Sequence, residues 1–82
     1  MSTPSLETNI SQSELAICSK WEQSIGKIVD FRRPGFVDRD WEIGSIKRVD
    51  KEGKPYVVVE DEFREEVRIP IRESLRDIII RD

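Results

Sequence analysis

The chain has 82 residues, room for one small domain and no second core. Apolar residues make up 37% and charged residues 38%, and the formal net charge is -3. A thin core under an ionic surface follows, and an acidic total argues against a general nucleic-acid binder, though a local basic patch can still meet phosphate.

Charge is distributed unevenly. Residues 1–24 hold one Lys against three Glu, residues 25–48 six cations against four acids, and residues 49–82 seven cations against ten acids. The middle block is thus the basic one. Cys18 is the only cysteine and there is no histidine. A single thiol cannot form an intramolecular disulfide, which fits a reducing compartment. No basic segment leads into an apolar run as in a signal peptide, and no apolar run is long enough to span a membrane. The expected location is cytoplasmic.

Residues 1–10, "MSTPSLETNI", are polar and aperiodic and are expected to form a disordered arm. A helix is predicted over 11–24. Ser11 and Glu14 have the spacing of a capping box, and Leu15, Cys18, Trp21 and Ile25 recur on one face. So short a helix needs a surface to dock on.

From Ile25 the period becomes two. "IGKIVDF" (25–31) reads as a first strand, with Phe31 continuing the inward face of Val29. "IGSIKRV" (43–49) reads as a second, "DKEGK" as a tight turn, and "PYVVVED" (55–61) as a third. Glu60-Asp61-Glu62 is expected to be a solvated tip. A fourth strand is predicted from Phe63, with Phe63, Glu65, Val67, Ile69 and Ile71 on one, inner face and Arg64, Glu66, Arg68, Pro70 and Arg72 on the other. "RESL" has room for one helical turn, and "DIIIRD" supplies a fifth strand.

This order predicts a mainly β fold: a five-stranded barrel over 25–82, preceded by one short helix. It resembles the SH3-like small barrel shared by SH3, Tudor and KOW-type domains, and "GKIVDF…IGSI" is similar to the KOW pattern of a glycine, a strand, a loop and then "G-x-V". SH3 domains that bind proline-rich peptides carry an "ALYDY"-like motif and a Trp-Trp pair. Neither occurs in this chain. An open twisted sheet with the helix across one face would hide the same residues.

The chemistry-bearing residues exclude more than they select. Without histidine, the commonest general base and metal ligand are missing. Asp38, Asp40 and Glu42 alternate as at the start of a calcium loop, but Ile43 stands where that loop needs glycine. No nucleotide-binding glycine pattern is present. No enzyme, metal or cofactor is expected.

One stretch stands apart, "FRRPGFVDRDW" (31–41). Arg32, Arg33, Phe36, Arg39 and Trp41 combine cations with aromatics in a long connection, where binding residues tend to sit. Such a mixture suits a protein interface. Together with Lys47 and Arg48 it also suits single-stranded nucleic acid, by stacking and phosphate contact. Asp30, Asp38, Asp40 and Glu42 interrupt the patch and would repel phosphate, so a protein partner is the leading expectation and a KOW- or Tudor-like nucleic-acid module the alternative. Self-association through the helix and sheet edges is the third.

Overall fold

The computed structural model describes residues 11–35 and 40–81. The predicted arm, residues 1–10, lies outside them, as do Phe36 and Arg39. Helix α1 (Gln12–Glu22) is followed by β1 (Ile28–Phe31), β2 (Glu42–Asp50), β3 (Tyr56–Asp61), β4 (Glu66–Pro70), α2 (Ile71–Asp77) and β5 (Ile78–Ile80). All neighbouring strands are antiparallel, in the order β4-β3-β2-β1-β5. Among the described residues no ladder joins β4 to β5, so the five strands form one open sheet whose edges are linked by α2.

Helix α1 starts where the capping box predicts. Ser11 Oγ accepts the Glu14 N–H, and Glu14 Oε1 accepts the Ser11 N–H, both at 3.2 Å. Its apolar face is narrower than the sequence suggests, because only Cys18 and Trp21 are buried whereas Leu15 and Ile25 are about half exposed. Trp21 does the docking. Its ring enters the core and its Nε1–H donates to Ser74 Oγ at 2.9 Å, while Ser74 Oγ donates to the Ile71 carbonyl at 2.8 Å. Ion pairs at the helix periphery, Glu14–Arg72 and Glu22–Lys51, add surface contacts of small energy.

The core lies between α1, α2 and one face of the sheet. Val29 and Phe31 of β1, Ile46 of β2, Val57 and Val59 of β3, and Val67 and Ile69 of β4 meet Cys18, Trp21, Ile71 and Ile78 there. Phe31 and Trp21 are both core residues, as their faces predict.

The fourth strand departs from its sequence pattern. It begins at Glu66, and Phe63 sits in the preceding turn, 84% exposed. The turn itself explains this. Asp61 Oδ1 accepts the N–H groups of Phe63 (2.9 Å) and Glu65 (2.8 Å), and Arg64 takes a positive φ of 66° to complete the reversal. Ile71 likewise leaves the strand and opens α2, which is longer than the single turn predicted.

The Glu60-Asp61-Glu62 tip is also not uniformly solvated. Asp61 is 6% exposed, because the turn it organises folds over it.

Candidate functional site

Arg32 and Arg33 are adjacent in sequence but serve opposite faces. Phe31 points into the core, so strand alternation turns Arg32 outward and Arg33 back to the inner side. There Arg33 meets the carboxylates of β2 and β3. Its Nε donates to Glu42 Oε2 at 2.8 Å and its Nη2 to Glu42 Oε1 at 3.2 Å and Asp61 Oδ2 at 2.7 Å. Glu42, followed by Asp61, holds the guanidinium in its charged form, against the opposing effect of burial. Arg33 therefore ties the β1–β2 connection to the β3–β4 turn.

Burial pushes the Asp61 carboxyl up, but the Glu65 N–H, the Arg33 guanidinium and the Phe63 N–H outweigh it and hold the group below its ordinary value. A depressed folded-state pKa stabilises the protein at pH values above the unfolded pKa, near 4 for Asp. That contribution is lost as pH falls through the folded value. Asp61→Asn is therefore expected to lower stability at neutral pH and to flatten the loss between roughly pH 5 and 2. Thermal melts across that range check it; parallel curves for wild type and variant would contradict it.

Arg32, on the outer face, reaches both the end of α2 and Trp41. Its Nη2 lies 3.1 Å from Asp77 Oδ1, and its guanidinium carbon lies 4.6 Å from the centroid of the Trp41 ring. Asp77 is almost fully buried and is held below its ordinary pKa by Arg76 first and Arg32 next, against burial. Trp41 itself remains 42% exposed. The result is a cation stacked on an accessible indole, clamped from behind by a buried acid.

The same outer face continues away from Trp41 through residues that the composition of the 31–41 stretch does not reveal. In register, Ile79 of β5 neighbours Asp30 of β1, which neighbours Ile43 of β2; Ile28 pairs with Ser45 one row further. Ile28, Ile43 and Ile79 are 49%, 42% and 51% exposed. Asp30 at the centre of that row is paired with Arg81 at 3.6 Å. The signal was present in the sequence. With Val29, Phe31, Gly44 and Ile46 inward, strand parity forces their isoleucine neighbours outward.

Lys47 and Arg48 occupy the other half of the face. The β2–β3 register shifts between Ile46 and Arg48, and this bulge lets both consecutive cations reach one acid. Lys47 Nζ and Arg48 Nη1 lie 2.8 and 3.2 Å from Glu66 Oε2. Lys47 also pairs with Glu60 and Arg48 with Asp50. Hydrogen bonds to Glu66 raise the pKa of both cations, and those from Lys47 and then Arg48 lower that of Glu66. Val58, between its cross-strand neighbours Arg48 and Arg68, is fully buried on this side of the sheet. The basic patch of the sequence is thus a neutralised lattice.

No family model, no curated protein and no solved structure matches this chain.

A cleft of ≈ 590 Å³ lies elsewhere, between the β2–β3 turn and the start of α2, with Pro55, Pro70 and Ile71 among its apolar lining and Glu14, Lys54 and Arg72 among its charged groups. Cys18 is fully buried, and desolvation raises its thiol pKa, which keeps it protonated and unreactive. No helix among the described residues is long and apolar enough to cross a membrane.

Proposed function

We propose that this chain is a non-catalytic module, a small accessory or regulatory subunit, that binds another protein through the outer face carrying Arg32 and Trp41 and through the connection of residues 32–42. The observation that carries this reading is the Arg32–Trp41 stack, an indole left 42% exposed beside a guanidinium fixed by Asp77. Trp and Arg are the residue types that most often anchor interfaces, and a side chain already held in place loses little freedom on binding. The exposed isoleucines beside it extend the apolar area available to a partner.

A protein partner is favoured over nucleic acid because Lys47 and Arg48 already face Glu60, Glu66 and Asp50. A phosphate would have to displace those carboxylates. The non-catalytic reading rests on a chain without histidine whose one thiol is buried. The SH3-like assignment is supported by the strand order β5-β1-β2-β3-β4 and by the helix placed between the last two strands.

The test is affinity purification from the native host followed by titration of the purified partner. Trp41→Ala is expected to weaken binding by about 2 kcal/mol or more, roughly thirtyfold, the effect typical of a central aromatic anchor. Lys47→Ala should leave the affinity unchanged. Equal binding by wild type and Trp41→Ala would overturn the proposal. So would a nucleic-acid ligand whose affinity falls steeply with salt.

A further inference from the structure

The two edges of the sheet differ in chemistry. β4 presents Glu66 and Arg68 and ends on Pro70, which lacks an N–H; charges and proline are the usual guards against strand addition. β5 is three isoleucines, Ile78–Ile80, and among the described residues it pairs only with β1.

The β1–β5 ladder includes bonds from the Arg32 N–H to the Asp77 carbonyl and from the Arg81 N–H to the Ile28 carbonyl, each 2.9 Å. Antiparallel alternation then turns the N–H and C=O of Ile79 toward β1 and those of Ile78 and Ile80 toward the opposite edge. On that edge the Ile78 N–H is taken by the Ser74 carbonyl as the cap of α2. Among the described residues, the Ile78 C=O and the Ile80 N–H are the complementary pair that remains for another strand.

We propose that this edge pairs with the same edge of a second copy of the chain, antiparallel about a two-fold axis at Ile79. In that register each Ile80 N–H donates to the Ile78 carbonyl of the other copy. The two Ile79 residues face each other as a non-hydrogen-bonded pair, with Cα atoms about 4.5 Å apart. Moving the axis to Ile80 would instead set Arg81 against Ile79 and replace the Ile80–Ile78 bonds with bonds between the two Ile80 residues.

The side chains agree with the backbone. Ile79 is 51% exposed at this edge, so pairing of its two copies covers apolar surface at the junction. Three residues form a small interface, which makes this a dimer that appears with rising concentration rather than an obligate one. The inference does not depend on the partner-binding role of Trp41.

Sedimentation velocity over a wide range of concentration, together with cysteine cross-linking, tests it. Wild type should pass from monomer to dimer, and Ile79→Lys should raise the dissociation constant roughly tenfold or more by placing like charges on the axis. Ile79→Cys should cross-link under mild oxidation, because the facing Cα atoms fall within disulfide reach. Ile28→Cys, comparably exposed on the same face but off the axis, should cross-link poorly, and Cys18 is buried and should not compete. A wild type that stays monomeric throughout would overturn the proposal. Equal cross-linking at positions 28 and 79, or assembly beyond a dimer, would overturn the two-fold register.

Discussion

Trp21→Ala is expected to lower the unfolding free energy by about 3–5 kcal/mol, the usual cost of removing a large aromatic from a core. Natural domains hold only roughly 0.05–0.15 kcal/mol per residue, about 4–12 kcal/mol for an 82-residue chain, so this loss is a large fraction of the total. The size of the effect follows from how α1 is attached. Trp21 is 1% exposed, and of the other helix residues only Cys18 is also buried. An eleven-residue helix has little stability of its own, so without the indole α1 detaches and the inner face of the sheet is uncovered. Trp21→Phe separates packing from hydrogen bonding. It keeps an aromatic ring and removes the Nε1–H donated to Ser74 Oγ, whereas the Ser74 hydroxyl still donates to Ile71. The phenylalanine variant should therefore lose only about 1–2 kcal/mol. Urea unfolding read by far-UV circular dichroism and by the fluorescence of Trp41 measures both variants. An unchanged midpoint for Trp21→Ala would mean that α1 is not held by this residue.

Much of the architecture was legible because each element has a local cause. The capping box set the start of α1, and two-residue alternation separated Val29 and Phe31 from Ile28 and Asp30. The errors also have causes. Phe63 matches the parity of Val67 and Ile69, so the pattern runs through a turn that only three-dimensional bonding reveals, with Asp61 accepting two backbone N–H groups. An acid between two acids reads as solvated, yet those N–H groups and Arg33 make its burial favourable. The 31–41 stretch could be recognised by composition, but not the division of labour within it. Arg32 and Arg33 are chemically identical, and what separates them is the inward direction of Phe31 and the location of Asp61 and Asp77, which are remote in sequence. Phe36 and Arg39 lie outside the described residues, so the reading of that connection rests on Arg32 and Trp41. Whether five strands close into a barrel was illegible for a different reason, since a closed barrel and an open sheet hide the same residues.

Gly44→Ala should be the most damaging small substitution in the sheet. Gly44 does not have positive φ, so its requirement is for space. A methyl group there would lie 2.5 Å from the Glu60 carbonyl oxygen, 2.9 Å from Phe31 Cε1 and 3.0 Å from Val59 Cγ1. Two of those contacts are side chains that can shift slightly. The first is backbone of β3, and Gly44 is in register with Asp61, the residue after Glu60. Relieving it means separating β2 from β3 where Arg33, Glu42 and Asp61 lock the inner end of the sheet. Overpacking of this kind costs about 1–3 kcal/mol, which for a domain of this size lowers the melting temperature by roughly 5–20 °C. Gly53→Ala is the contrasting case. It has open space around the added methyl but a φ of +67°, so its smaller penalty, about 1 kcal/mol, is conformational. Adding Phe31→Leu to Gly44→Ala distinguishes the two kinds of contact in the collision. Shrinking the ring removes only the side-chain contact, so the double variant should melt no higher than Gly44→Ala alone. Recovery of stability in the double variant would place the conflict in the core packing of Phe31 rather than in the spacing of β2 and β3.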